Sequence, residues 1–132
     1  MKRESNFRAA LVVAIKASRC IAQPVETGTT GLGVPDLFVR TTKTSAWIEL
    51  KNYRYPIKYP FVVSFRPGQA MWLERHYQLG GLSVLGISTL EGNFFFVNEK
   101  IKRTYERRLL DECDYWCPNI IGKEFIKWLD NL

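Results

Sequence analysis

Two short stretches constrain this chain more than any others: Pro35-Asp36 and, in the next apolar run, Glu49-Leu50-Lys51. Residues i and i+2 of a β-strand point to the same face. A strand over Ala46–Lys51 therefore sends Glu49 and Lys51 to one side, while Ile48 and Leu50 enter a core on the other. If a strand over Asp36–Arg40 pairs beside it, two carboxylates and one ammonium converge on one spot. Such a set suits a hard divalent cation and phosphoryl chemistry. Taken singly, each residue has a plainer reading. Asp36 is then a strand-end residue beside a proline, and Glu49 and Lys51 are a solvated strand face with a weak ion pair. Only their conjunction points to a site.

The surrounding pattern supplies that conjunction. Phe7, Leu11 and Ile15 recur at i+4 and predict an amphipathic helix over residues 4–19. Residues 21–26 predict a short strand, followed by a glycine-rich loop over 28–33. The loop lacks the Gly-Lys-Ser/Thr ending of a P-loop, so it is not read as a nucleotide cradle. The strands at 36–40 and 46–51 are joined by the polar turn Thr41-Thr42-Lys43-Thr44-Ser45, as in a hairpin. Residues 52–65 read as a long irregular connection. Pro67 opens a second helix and Gly80-Gly81 closes it. Strands follow at 82–89 and 93–98 around Glu91-Gly92. A last long helix is expected from Lys100, with Ile101, Tyr105, Leu109, Cys113 and Cys117 on its buried face, and a short terminal helix from Phe125. The order α-β-β-β-α-β-β-α predicts an α/β fold with a mixed sheet rather than a doubly wound parallel one. One domain is expected, with a core over about 4–98 and a helical extension over 99–132.

With 132 residues, 46% of them hydrophobic, the chain can bury a real core. Its formal net charge of +6 favours a polyanionic partner, foremost a nucleic acid. No apolar run reaches membrane-spanning length. Residues 1–6 open like a signal n-region, but the apolar stretch behind them is short and no convincing cleavage site follows. A cytoplasmic protein, of a bacterial or phage-infected cell, is expected. Three cysteines, an odd number, argue against a disulfide framework; Cys113 and Cys117 read as packed thiols. His76, the only histidine, reads as an exposed mid-helix residue with no partner.

At Gly33-Val34-Pro35-Asp36 and Glu49-Leu50-Lys51 the chain resembles the PD-(D/E)XK nuclease superfamily, and within it the VRR-NUC and Holliday-junction resolvase branch. Gln69, with Trp72-Leu73 after it, matches the polar residue that opens the following helix in that branch. Glu4 matches the acid near the start of its first helix by position. The resemblance covers roughly the first ninety residues. It implies a restriction-endonuclease-like αβββαβ core with a mixed central sheet flanked by helices. It also implies a metal-dependent endonuclease that leaves a 5′-phosphate and a 3′-hydroxyl. Asp36, Glu49, the Leu50 carbonyl and, further out, Glu4 would hold Mg²⁺ or Mn²⁺. Lys51 would orient water or stabilise developing charge, and Gln69 would position water or a carboxylate.

Asn52 to Tyr59 alternates basic and aromatic residues directly after the catalytic strand. Arg54 and Lys58 would meet phosphates, as would Arg66 and Lys43. Tyr53 and Tyr55 would either stack on unpaired bases or pack beneath their own loop. Lys100, Lys102, Arg103, Arg107 and Arg108 form a second basic cluster, a solvated face or a further DNA contact. Trp116, Phe125, Trp128 and Leu129 either cover the sheet or form a homodimer interface. By analogy, branched or junction DNA is the expected substrate and a C2 homodimer the expected assembly. A nicking or general phage-type nuclease, and a binding module that has lost catalysis, are the alternatives.

Overall fold

A computed structural model describes residues 3–25, 33–118 and 122–132, with side chains from Asn6 onward. Helix α1 (Arg3–Ala17) buries Phe7, Leu11 and Ile15 at the predicted i+4 spacing. Strands β1 (Ile21–Pro24), β2 (Leu37–Arg40) and β3 (Ser45–Asn52) form an antiparallel meander. A short strand β4 (Phe61–Val62) precedes helix α2 (Gln69–Gln78). Strands β5 (Ser83–Thr89) and β6 (Gly92–Val97) then complete the main body of the sheet.

The main sheet runs β1-β2-β3-β5-β6-β8, where β8 is Tyr115–Cys117. Only β3 and β5 pair in parallel; every other neighbour is antiparallel. A parallel pair needs a crossover, and α2 lies within it. The sheet is therefore mixed and flanked by helices, as the sequence predicts.

Side-chain alternation divides the sheet into two faces. Ile48, Leu50, Val84 and Phe95 pack under α1 and α4 (Lys123–Asp130), which contributes Phe125 and Leu129. Leu85, Ile87, Phe94 and Phe96 face the other way, against Tyr53, Phe61, Val63, Tyr105 and Leu109. Gly86 has no room for a side chain: a Cβ there would lie 2.9 Å from the Phe95 ring and 3.0 Å from Leu50 Cδ2. Close packing at that point seats Leu50, and with it the strand that carries Glu49 and Lys51.

The C-terminal third corrects the expectation of a long helix from Lys100. A 3₁₀ turn (Asn98–Lys100) leads to strand β7 (Thr104–Tyr105), helix α3 (Leu109–Glu112) and β8. Tyr105 explains the difference. Its ring is fully buried, its hydroxyl donates to the Lys100 carbonyl at 2.8 Å, and Lys102 N–H donates to it at 3.0 Å. Tyr105 also pairs with Phe61, so the 52–65 connection contains a strand and is not wholly irregular. Ile101, Tyr105, Leu109 and Cys113 do reach one core, but through a turn and a strand. The i+4 spacing reports a shared destination here, not a helix. Arg103 and Arg107 are accordingly not on a common helix. Lys102 and Arg107 bridge to Glu112, and Arg108 bridges to Asp111. Phe125 and Leu129 cover the sheet, and Trp128 stacks on Tyr115 at 4.9 Å. The three cysteines are free, with Cys117 buried.

Candidate active site

The β2–β3 register pairs Leu37 with Ile48 and Phe38 with Trp47. Asp36, one step before β2, therefore reaches the carboxyl-terminal half of β3, where Leu50 N–H donates to its Oδ2 at 3.0 Å. Glu49 and Lys51 project from β3 onto the face opposite Leu50, as their parity requires. Lys51 Nζ lies 3.4 Å from Glu49 Oε2, and both residues are almost fully buried, at 3% and 1% exposure.

A buried ion pair survives desolvation only when further hydrogen bonds complete it. Gln69, at the first turn of α2, supplies one. Lys51 Nζ donates to Gln69 Oε1 at 2.9 Å, and the Arg66 backbone N–H donates to the same oxygen at 2.8 Å. With two donors aimed at it, the amide must present its oxygen. The Phe65 ring stands 5.8 Å from the Lys51 ammonium. The Arg66 bond is local, spanning three residues at the start of α2, whereas the Phe65 contact is not legible in local sequence, since it depends on how α2 crosses β3.

Glycine geometry fixes that crossing. Gly33 and Gly68 both have φ of 87°, and a Cβ on Gly33 would lie 2.4 Å from the Gly68 carbonyl oxygen. The last glycine of the loop before Pro35-Asp36 thus presses backbone to backbone against the start of α2. The rest of that loop, residues 28–32, lies outside the described residues. Glu4 falls in the first turn of α1, but its side chain also lies outside them.

Asp36, Glu49 and the Leu50 carbonyl offer only hard oxygen donors. Among the described residues no group of three His, Cys, Asp or Glu side chains is placed to hold a metal ion. Two carboxylates fit Mg²⁺, which is commonly held by one or two carboxylates together with waters and substrate phosphates.

The expected nucleic-acid contacts divide. Lys43, Lys58, Arg66 and Tyr55 are exposed. Arg54 spends two donors internally, on the Thr89 carbonyl at 2.9 Å and Ser88 Oγ at 3.0 Å, bracing β3 against β5. Tyr53 is corrected: it is buried, and its hydroxyl shares a 2.7 Å hydrogen bond with Ser64, so its ring is not a stacking surface. His76 is corrected as well. It is half-buried and stacks on Trp72 at 5.3 Å, and burial lowers its pKa.

The fold resembles that of Hjc from Archaeoglobus fulgidus, a Holliday junction resolvase from an archaeal hyperthermophile. The match has a TM-score of 0.62 and 14% identity, and covers 93% of this chain and 98% of that one. No family model matches the chain, and no curated protein matches it by sequence. At that identity the likeness speaks for the fold alone. No helix among the described residues is long and apolar enough to cross a membrane. The chain thus has a restriction-endonuclease-like core, a mixed sheet flanked by helices with added C-terminal helices, and resembles that resolvase in fold at low sequence identity.

Proposed function

We propose that this protein is a metal-dependent DNA endonuclease that hydrolyses phosphodiester bonds in branched DNA, in the manner of a junction resolvase working in the cytoplasm. The observation that carries the reading is the convergence of Asp36, Glu49, Lys51 and Gln69 at the carboxyl-terminal end of β3. Asp36, Glu49 and the Leu50 carbonyl would hold Mg²⁺ or Mn²⁺, and the ion would supply Lewis-acid polarisation of the scissile phosphate and a water of lowered pKa.

The chain's own residues do the rest. Lys51 presents an ammonium to the charge that develops on the phosphoryl oxygens. Gln69 Oε1 holds that ammonium in place, and the Arg66 N–H holds Gln69. Lys58, Arg66 and Lys43 draw in the DNA backbone, and Tyr55 offers an exposed ring beside Lys58. Arg54 retains N–H donors beyond the two it spends within the protein and can also reach a phosphate. Glu4 is kept as an outer ligand. Cutting both strands of a junction requires two such sites, so the working form is a C2 homodimer.

A substrate panel tests the reading: labelled four-way junction, linear duplex and single strand, each with Mg²⁺ or Mn²⁺. Symmetric junction cleavage supports it, and equal cleavage of all three replaces it with a general nuclease. The competing reading is a binding module without catalysis, against which the intact Asp36, Glu49 and Lys51 set speaks. Calorimetric titration with Mn²⁺ separates the two, because the binding module would give no heat of cation binding while still retaining DNA.

A further inference from the structure

One aromatic cluster belongs to neither hydrophobic core. Phe38, Trp47, Trp72 and His76 form a continuous chain of rings with centroid separations of 5.2, 5.5 and 5.3 Å. All four are half-buried, so each keeps an accessible edge or face. Phe38 and Trp47 sit on the sheet face opposite α1, and Trp72 and His76 come from α2 alongside. Ile21 shares that face through its pairing with Arg40 and is 57% exposed.

The two flanks of this stripe along β2 and β3 differ in chemistry. At one, two positions from the directly paired Phe38 and Trp47 and on the same face, lie Asp36 and Glu49, with Lys51 beyond. At the other, an open cavity of about 440 Å³ is lined by Arg40, Lys43, Ser45 and His76. Ser45 and Lys51 stand six positions apart on β3, about 20 Å at the rise of a strand. A half-exposed aromatic track with cations at its far end meets the two requirements of single-strand binding: faces for bases to stack on and positive charge for the backbone. Paired bases are already stacked on one another and offer no free face to such a track.

We infer that the Phe38–Trp47–Trp72 stripe is a docking track for an unpaired DNA strand, which threads from the Arg40–Lys43 cavity to the carboxylates at the end of β3. The identity of the polyanion rests on the nuclease reading above. The inference adds that the strand delivered to the site is single-stranded on the β2–α2 side. Arg40 and Lys43 anchor its backbone, and the tryptophans carry its bases.

The test uses intrinsic fluorescence in EDTA, where no cleavage intervenes. The chain has four tryptophans, and Trp116→Phe with Trp128→Phe leaves only Trp47 and Trp72 to report. A short oligothymidine should quench this emission saturably, while a hairpin duplex with the same number of phosphates should leave it unchanged. Trp72→Ala should weaken oligothymidine binding about tenfold. Because that variant disturbs packing, Arg40→Glu with Lys43→Glu, two exposed positions, serves as a second arm and should weaken binding and flatten its salt dependence. Absence of quenching, equal quenching by the duplex, or unaltered binding by the charge-reversed protein would overturn the track. Quenching without cleavage of any DNA would sink the nuclease reading and leave the track standing. Junction cleavage without quenching would do the reverse.

Discussion

Gln69 is the residue on which the candidate site turns. Its single oxygen accepts from both the Lys51 ammonium and the Arg66 N–H. Gln69→Leu keeps the volume and removes the acceptor. It should destabilise the fold by about 2 kcal/mol in urea denaturation, the range for a buried hydrogen bond to a charged group, and cut the cleavage rate as well. A fully active, fully stable variant would remove Gln69 from the site. His76 gives a pH-dependent counterpart. Burial lowers its pKa below the ordinary value, so the fold favours the neutral ring. The associated stability is complete above the unfolded-state pKa near 6.5 and is lost as pH falls through the folded value. Thermal melts of wild type and His76→Gln should therefore diverge toward acid, with the wild type losing more. At this scale Asp36, Glu49 and Lys51 were legible because strand parity is a local property. The Lys51 partner of Gln69 was not, since it is met only once α2 has packed on β3, whereas Trp72 lies one turn before His76 on the same helix and the i+4 pair was there to be read.

At the scale of elements, the contact between the Gly33 turn and the start of α2 sets the distance from Asp36 to Gln69. Gly33→Ala asks a non-glycine residue to hold a φ of 87° and drives its Cβ to 2.4 Å from Gly68 O. A loss of about 1–3 kcal/mol is expected by chemical denaturation, with cleavage reduced beyond what the remaining folded fraction explains. A neutral substitution would mean that the turn does not position the site. Helices α1 and α2 and strands β1, β2, β3, β5 and β6 were readable from their periods and turn punctuation, whereas β4 has only two residues and shows neither. The region after Asn98 misleads for a physical reason: Tyr105 is drawn out of any helix by its pairing with Phe61, a residue far away in sequence. Aromatic Tyr115 and Trp116 likewise join the sheet edge beside β6.

For the whole molecule, the net charge of +6 anticipates a polyanion, but the structure redistributes that charge. Much of the basic C-terminal stretch is bridged to Glu112 and Asp111. Arg40, Lys43, Lys58 and Arg66 remain exposed on other elements. Salt titration of DNA binding should show a slope that falls when Lys58 and Arg66 are changed together to alanine, and holds when Arg107 and Arg108 are. The reverse pattern would move the DNA to the C-terminal surface. The most direct measurement of the central claim is cleavage of labelled four-way-junction DNA by wild type, Asp36→Asn and Lys51→Ala, with Mg²⁺ and with EDTA. The account expects metal-dependent cutting by the wild type that both substitutions abolish while junction binding persists. Cutting that survives in EDTA or in either variant would contradict it.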